Sequence, residues 1–286
     1  MKISETDLIL NPDGSVYHLN LLPKNISDTI IAVGDPSRVY KVSQYFDEIE
    51  FEMNKREFIT HVGTFNGKKI TVISTGMGTD NVEIFLTELD ALVNIDLKTR
   101  EVKSRKKKLK IVRVGTSGAL QEDIPVGSHL VSNYAVGLDS LMQFYDLPMD
   151  AFEKKIAADI KTKCKLPLVP YVVKGSDTLL KQVGFDMISG NTVTTPGFYA
   201  PQGRKVRAAT QMPKLLEDLN YYHNKSSEFW LTNFEMETAG YYSMGRLLGH
   251  EVLSVNAIIA NRIKNKFSKD PEKVIDDLIK KVLERI

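Results

Sequence analysis

Two carboxylates and a thioether stand together at positions 235–237, in the stretch NFEMET that begins at Asn233. Apolar residues follow at helical spacing until Gly249, so the sequence predicts a helix with Asn233 as its N-cap and both glutamates in its first turn. The helix dipole favours negative charge at that position. Because residues two apart lie roughly 200° apart around a helix, Glu235 and Glu237 are expected to have separate roles. Two ordinary first-turn acids are the alternative interpretation.

A second candidate site follows the short aliphatic run at 29–33, where Gly34 and Pro36 predict a tight turn and Arg38 falls in the first turn of a helix. Free backbone N–H groups and the positive end of the helix dipole would lie beside the guanidinium. This combination predicts an anion pocket. A Gly-Asp-Pro turn that only connects two elements is the alternative.

Arg113 lies inside the apolar run 111–114, which predicts a buried strand that ends at Gly115. An arginine within such a strand needs a partner. The partner is either a core carboxylate or an anion that the arginine binds with help from the Thr116 hydroxyl. The neighbouring anion pocket at Gly34 and Arg38 favours the second interpretation.

A fourth group follows the strand predicted at 187–195, where Pro196 and Gly197 release a loop. Aromatic faces in that loop can stack on a flat heterocycle. An amide and a guanidinium together match the donors and acceptor of an imide edge such as that of uracil. The side chains concerned are Phe198, Tyr199, Gln202 and Arg204. An ordinary surface loop would also carry such residues.

The elements that must position these residues alternate between strands and helices, which predicts an α/β domain. The Asn66-Gly67 pair predicts a hairpin, and Asp270-Pro271 begins a last amphipathic helix. Gly76-Met77-Gly78 leads into a helix at 80–94 but lacks the third glycine of a dinucleotide site. Ser176-Asp177-Thr178 is interpreted as a helix N-cap. We expect one domain over residues 1–286, with residues 1–25 as an irregular N-terminal arm that has no strong claim on its own core.

Composition sets limits on function. The 286 residues carry 38 basic and 36 acidic side chains, a formal charge of +2. A net charge this small gives no overall electrostatic attraction for nucleic acid or membrane lipid. The basic run 103–110 is therefore interpreted as a solvated loop. One cysteine, Cys164, allows no intramolecular disulfide, and five scattered histidines lack metal-site spacing. With no signal peptide and no membrane span in the sequence, we expect a cytoplasmic protein.

Four motifs, in order along the chain, resemble those of the nucleoside phosphorylases, and among them the uridine phosphorylases. They are Gly34-Asp35-Pro36-x-Arg38, Arg113-x-Gly115-Thr116-x-Gly118, Phe198-Tyr199-x-x-Gln202-Gly203-Arg204, and Glu235-Met236-Glu237. The resemblance implies a three-layer α/β/α sandwich with a mixed central sheet. It departs from the family at Ser117, where threonine is frequent, and in a longer arm before His18.

The resemblance also implies site roles. Phosphate would be bound by Gly34, Arg38, Arg113 and Thr116, together with Arg56 of a neighbouring subunit. Ribose would be held by Met236 and Glu237, with His18 of the neighbour near its 5′-hydroxyl. The base would contact Phe198, Gln202 and Arg204, with Arg262 near it through water. Catalysis would rest on Arg113, Gln202, Arg204 and Glu237.

The implied reaction is phosphorolysis of uridine to uracil and ribose 1-phosphate, with inorganic phosphate as co-substrate and neither an organic cofactor nor a metal. The implied assembly is a homo-oligomer, a dimer or a hexamer, with active sites shared across a dimer interface. A purine nucleoside phosphorylase, a nucleosidase of the same fold and a non-catalytic nucleoside-binding protein are the alternatives. A purine enzyme would be expected to carry an aspartate where this chain has Asn261-Arg262, and a nucleosidase would lack the phosphate arginines.

Overall fold

The computed structural model describes residues 2–286, in which strands and helices alternate along most of the chain. The strands are β1 Thr29–Val33, β2 Glu48–Lys55, β3 Phe58–Phe65, β4 Lys68–Ser74, β5 Ile95–Asp96, β6 Glu101–Val102, β7 Lys110–Ala119, β8 His129–Gly137, β9 Tyr171–Lys174, β10 Ile188–Thr194, β11 His223–Asn224, β12 Phe229–Trp230, β13 Asn233–Glu235, β14 Glu251–Asn261 and β15 Lys266–Phe267. The α-helices are α1 Ser37–Ser43, α2 Thr79–Asn94, α3 Ala151–Lys163, α4 Asp177–Val183, α5 Leu215–Tyr221, α6 Thr238–Leu248 and α7 Pro271–Leu283. Short 3₁₀ turns lie at Pro23–Asn25, Leu141–Gln143 and Ala200–Gln202.

One large mixed sheet carries the fold. Its strand order is β15-β14-β8-β10-β13-β7-β1-β4-β3-β2, with β9 added on β8. Strand β14 pairs in parallel with β7 along its whole length and antiparallel with β8 near its middle. Strands β14, β8, β10, β13 and β7 therefore close into a ring. Strands β1, β4, β3 and β2 extend from β7 as an open wing, while β15 pairs with β14 and β9 with β8.

Helices cover both faces of the sheet. Along β1, Ile30 and Ala32 pack on the side of α2 and α6, while Ile31 and Val33 pack on the side of α1, α4 and α7. Helices α3 and α5 cover a third cluster beside β8 and β10. A strand whose successive residues are all buried is what a sheet covered on both faces requires. The predicted α/β class with helices on both sides of a mixed sheet is confirmed.

Local signals in the sequence correctly placed several element boundaries. Asp270 accepts a hydrogen bond from the Lys273 amide at 3.0 Å and caps α7, whose first residue is Pro271. Ser176 likewise accepts from the Leu179 amide at 3.2 Å, so its interpretation as an N-cap is confirmed. Asn66, with φ +50°, forms the predicted hairpin turn with Gly67 between β3 and β4.

Two predicted boundaries near the site are wrong. Strand β7 does not stop at Gly115 but runs to Ala119, because β13 and β14 supply hydrogen-bonding partners on both sides. The residues 233–235 form strand β13, and α6 begins only at Thr238. Glu235 and Glu237 therefore do not lie in the first turn of a helix. Their expected separation of roughly 200° around a helix axis does not apply.

The N-terminal arm is irregular, as predicted, but it packs on its own chain. Val16, Leu19 and Leu21 are fully buried and belong to the same core cluster as α2 and α6. An arm that buries three aliphatic side chains has a firm place in its own core. The expectation that this arm does not pack firmly into the core of its own chain is wrong.

The basic run 103–110 is exposed apart from Leu109, in agreement with a solvated loop. Its lysines make ordinary surface contacts, among them an ion pair of 2.5 Å between Lys107 and Asp28. In residues 2–286, no helix combines the length and the apolar character needed to cross a membrane.

Candidate active site

A cavity of about 480 Å³ opens where β1 ends, beside the second half of β7, and it collects most of the predicted site residues. The two strands run parallel with Val33 opposite Val114, so β7 continues to Ala119 past the end of β1 and lines the cavity there. Nine of the twelve predicted residues line the cavity: Gly34, Arg38, Arg113, Thr116, Phe198, Gln202, Arg204, Met236 and Glu237.

Arg113 is buried beneath this cavity and is already bound by its own chain. Its Nη1 donates to Ser254 Oγ at 3.2 Å and to Asn256 Oδ1 at 3.0 Å. Its Nη2 lies 2.6 Å from Glu237 Oε2 and 2.9 Å from Glu235 Oε2. The core carboxylate offered as one of two possible partners is therefore present, and it is in fact a pair of carboxylates.

Three of the five N–H groups that a guanidinium offers thus donate hydrogen bonds to the chain, and the contact with Glu235 is an ion pair. Within the described chain, the Nε–H group is a donor left over for a ligand. Gly115 makes room for this arrangement, since a Cβ at that position would lie 2.1 Å from Arg113 Nη1. Burial acts to lower the pKa of Arg113, but Glu235 and Glu237 outweigh it and hold that pKa above its ordinary value.

Glu235 joins the site to the start of α6. Its carboxylate accepts from the backbone amides of Glu237 and Thr238, each at 2.9 Å, and from the Thr194 hydroxyl at 2.7 Å. Those amides belong to the free N–H groups at a helix start, so the Glu235 side chain caps α6 from the preceding strand. The two glutamates differ in their other contacts, but both bind Arg113, so the helical spacing that was expected to keep them apart does not do so.

Glu237 bridges two sides of the cavity. One oxygen contacts Arg113, and the other accepts from the backbone amide of Gly78 at 2.9 Å. Gly78 has φ +99°, a conformation open to glycine, which explains the second glycine of the turn 76–78. Burial raises the pKa of Glu237, because one guanidinium cannot neutralise two buried carboxylates.

Arg38 brings a second positive charge to the same end of the cavity. It lies in the first turn of α1, and its Nη1 donates to the Val114 carbonyl at 3.2 Å. Burial is the main reason that the pKa of Arg38 lies below its ordinary value, and the charge of Arg113 lowers it further. Two guanidiniums that repel each other across a cavity favour an anion between them.

The other end of the cavity is formed by the loop 195–204. Gln202 is buried, and its Nε2 donates to Thr195 Oγ1 at 3.1 Å while its Oε1 accepts from Arg204 Nη1. The Arg204 guanidinium lies 3.6 Å from the centre of the Phe198 ring, a cation–π contact. Phe198 is 48% exposed. The amide, guanidinium and ring that the loop was predicted to offer are therefore in contact with one another.

Arg262 lies behind this end rather than in the cavity lining. Its Nη1 donates to the Gln202 carbonyl at 3.3 Å, and its guanidinium lies 5.2 Å from the centre of the Phe234 ring. Its neighbour Asn261 is buried and spends its amide on the carbonyls of Gln121 and Ile124. Asn261 therefore holds a turn and does not face the cavity.

His18 and Arg56, both predicted for the site, lie outside the cavity lining of their own chain. Tyr17 contacts both of them. Its ring centre is 4.9 Å from that of His18 and 5.8 Å from the Arg56 guanidinium. Arg56 has φ +54° in the tight turn between β2 and β3. The next residue in that turn, Glu57, does line the cavity.

Sequence reasoning missed several residues that line the cavity. Phe234 comes from β13, and Phe267 returns from the short hairpin of β14 and β15. Met77, which is 73% exposed, lies at the rim between two glycines. The spacing of Gly76 and Gly78 could have indicated Met77, but no signal in the sequence places Phe267 near Phe198.

The chain matches the model of the Phosphorylase superfamily over residues 28–285. The uridine phosphorylase of Thermococcus kodakarensis is 30% identical over 264 residues, which cover 91% of this chain and 83% of that protein. A DeoD-type purine nucleoside phosphorylase of Colwellia psychrerythraea is 24% identical over 273 residues, which cover 94% of this chain and 98% of that protein.

A solved structure gives a match in three dimensions. The crystal structure of a Trypanosoma brucei nucleoside phosphorylase, described as showing uridine phosphorylase activity, superposes with a TM-score of 0.89 at 28% identity. The match covers 98% of this chain and 99% of the other. Shared architecture therefore extends over nearly the whole chain, including the arm and the loop 195–204.

Proposed function

The chain belongs to the phosphorylase superfamily, and from this premise we propose that it is an enzyme that cleaves uridine with phosphate, giving uracil and ribose 1-phosphate. One observation carries the proposal: a single cavity has two guanidiniums at one end, where Glu237 contacts Arg113, and an amide beside a guanidinium at the other. The first end suits a phosphate, and the second suits the imide edge of a pyrimidine.

In the proposed reaction, phosphate attacks C1′ of the ribose while the bond from C1′ to N1 of uracil breaks. Positive charge grows on the sugar and negative charge on the leaving base. Arg38 and Arg113 hold the phosphate beside C1′, which turns a two-substrate encounter into a local step. Arg204, with Gln202, stabilises the departing base electrostatically. This chemistry needs no organic cofactor or metal ion, and phosphate is the co-substrate.

The contacts of Arg113 add a step to this scheme. A phosphate dianion that approaches Arg113 meets two carboxylates already bound to it, and like charges in a buried site repel strongly. We therefore expect phosphate to replace Glu237 at Nη2. The released Glu237 carboxylate can then accept from the ribose hydroxyls, beside Met236.

Uridine cleavage with and without phosphate, measured as uracil release, tests the proposed function. We expect cleavage only with phosphate, and ribose 1-phosphate as the product. Free ribose formed at the same rate without phosphate would assign the protein to the nucleosidases. Binding of uridine with no turnover in phosphate would leave a nucleoside-binding protein.

Inosine distinguishes the purine alternative, which the similarity to a DeoD-type enzyme makes worth testing. A purine enzyme would be expected to carry an aspartate where this chain has Asn261-Arg262. Asn261 donates its Nδ2 to backbone carbonyls, and its Oδ1 accepts from the amides of Ile263 and Lys264. A guanidinium only donates, so this pair offers no acceptor or acid to a purine ring. We expect inosine to be a poor substrate, and cleavage as fast as that of uridine would overturn the pyrimidine assignment.

The assembly is proposed to be a homo-oligomer, a dimer or a hexamer, in which His18 and Arg56 complete the active site of a neighbouring subunit. The support is that both residues lie outside the cavity of their own chain yet adjoin each other and Glu57 at its edge. We further propose that the enzyme works in the cytoplasm in pyrimidine nucleoside salvage.

A mixing experiment tests the shared site. Chains with Arg56→Ala and chains with Arg113→Ala are each expected to be inactive, and they are combined under conditions that exchange subunits. Some mixed dimers then carry one site with both defects and one site with neither, so activity should return. An active monomer, or no recovery after proven exchange, would contradict shared sites.

A further inference from the structure

A buried carboxylate on α2 has no part in the cavity. Glu88 lies on the apolar face of α2, next to Leu89, and is only 6% exposed. Its partners come from the N-terminal arm: the backbone amide of His18 at 3.0 Å, that of Leu19 at 2.8 Å, and Nδ1 of the His18 ring at 2.7 Å. A carboxylate is costly on a buried helix face unless it is bonded in this way.

These contacts determine the state of the His18 imidazole. An ionised carboxylate only accepts hydrogen bonds, so Nδ1 must carry a proton to bond with Glu88. In a neutral imidazole the second nitrogen, Nε2, is then an acceptor. Tyr17 packs edge-on against the same ring, with 84° between the two planes, and limits its rotation.

The backbone at His18 is fixed as well as the ring. Leu19 is fully buried, and its amide and that of His18 both donate to Glu88. The His18 side chain itself remains 29% exposed. A partly exposed imidazole with a fixed tautomer, on a fixed backbone, is a built hydrogen-bond acceptor.

We propose that Glu88 is a positioning residue that holds His18 with Nδ1 protonated, so that Nε2 accepts a hydrogen bond from the 5′-hydroxyl of the nucleoside in the neighbouring subunit's site. This inference rests on the proposed function and adds to it a residue that the motifs did not indicate. It assigns the buried acid of α2 to substrate recognition rather than to the core alone.

The test compares uridine with 5′-deoxyuridine, which lacks the hydroxyl in question. The substitution Glu88→Gln leaves one acceptor oxygen and turns N–H donors toward the arm amides, so the tautomer is no longer imposed. We expect Glu88→Gln to lower kcat/KM for uridine about tenfold, the effect of one misplaced hydrogen bond. For 5′-deoxyuridine we expect a change of less than about twofold.

Two further variants separate positioning from a structural role. His18→Ala should likewise lower kcat/KM far more for uridine than for 5′-deoxyuridine. The double variant should lose little more than either single variant, because both changes remove the same interaction. Glu83→Gln is the matched control: it lies on the same helix and bonds the Tyr145 hydroxyl instead. Equal losses on both substrates in Glu88→Gln, or no loss on uridine, would overturn the proposal.

A measurement on the unaltered chain covers the case in which Glu88→Gln does not fold. The ¹⁵N chemical shifts of the imidazole, assigned by comparison with His18→Ala, report which nitrogen carries the proton. We expect the Nδ1–H tautomer, and the Nε2–H tautomer would refute the inference. If the wild-type enzyme cleaves no uridine in phosphate, the proposed function fails; if it does but the variants show no preference, only the role of Glu88 fails.

Discussion

At one end of the cavity Arg113 lies on a sheet strand and makes three hydrogen bonds and a further ion pair with its own chain, whereas at the other end Arg204 lies on a loop and stacks on the half-exposed ring of Phe198. The first arginine is 4% exposed, and its partners come from three elements. The second has its neighbours within six residues. The phosphate end is thus part of the core, while the base end is a local structure attached to it.

This difference separates stability from function. A change at the buried end removes ligand contacts and also leaves core charges without partners. A change at the loop end removes ligand contacts and neutral hydrogen bonds such as that of Gln202 with Thr195, but leaves no buried charge without a partner. Variants at the two ends should therefore differ more in their free energy of unfolding than in their loss of activity.

The largest effect is expected for Arg113→Met. Glu235 and Glu237 would be left as buried carboxylates without a cation, which costs about 3–5 kcal/mol of unfolding free energy. The value of kcat/KM for uridine should fall by on the order of a hundredfold or more. Urea denaturation and steady-state phosphorolysis measure the two effects.

Arg204→Met is the matched control at the other end. It should lower activity while its unfolding free energy falls by about 1 kcal/mol, because only its hydrogen bonds to Gln202 and the Phe198 carbonyl are lost. The contrast between the two ends breaks down if Arg113→Met is as stable as Arg204→Met.

A smaller effect is expected for Gln202→Ala. The loss of a buried amide that bonds the base leaves ligand groups unpaired, at about 1–3 kcal/mol, or roughly five- to a hundredfold in kcat/KM for uridine. Gln121→Ala serves as control, because that amide bonds only the backbone carbonyls of Asn220 and Leu231. If the control loses as much activity as Gln202→Ala, the base assignment has no support from this experiment.

The two carboxylates that share the Arg113 guanidinium predict a pH dependence. Burial raises the pKa of Glu237 above its ordinary value of 4.5, so the folded chain binds this proton more tightly than the unfolded chain. Such a group contributes stability below its unfolded pKa and loses that contribution as pH rises through the folded pKa. The unfolding free energy of the wild type, relative to Glu237→Gln, should therefore fall as pH rises above 4.5.

Denaturation of both proteins over a series of pH values measures this difference. Phe198→Ala is the control, since it removes no titrating group and should differ from the wild type by a constant amount. If the wild type instead becomes more stable relative to Glu237→Gln as pH rises, Arg113 fully compensates the charge of both carboxylates.

The two ends also differ in how far the sequence can predict them. Phe198, Gln202 and Arg204 contact one another within one short loop, so their types and spacing are enough to bring them together. The contacts of Gln202 with Glu235 and Arg262 come from distant parts of the chain. The contacts of Arg113 depend on β14 pairing with both β7 and β8, a long-range closure that no local pattern encodes. For the same reason the local pattern at 233–235 predicts a helix where the structure has a strand, and it does not show that two glutamates meet on one guanidinium.

The arm shows the same limit. Its polar, turn-rich sequence predicted an irregular segment correctly, but the burial of Val16, Leu19 and Leu21 depends on the face that α2 presents. Glu88 could have been noticed as a carboxylate at an apolar position of that helix. Its partner His18, 70 residues earlier in the chain, could not have been identified from the sequence.

The smallest effect is expected for Phe198→Ala, which tests the loop end at its most exposed side chain. Phe198 lines the cavity and carries the Arg204 guanidinium on its face. Stacking and cation–π contacts at such sites are worth about 0.5–1.5 kcal/mol, so KM for uridine should rise by up to about tenfold with kcat little changed. Tyr199→Ala is the control: Tyr199 touches the Phe198 ring edge-on and is 61% exposed. Because both side chains are solvated in the ligand-free chain, neither variant should change the unfolding free energy by more than about 0.5 kcal/mol. A Phe198→Ala variant that unfolds far more easily would show that this loop belongs to the core, as the phosphate end does, and the distinction between the two ends would have to be abandoned.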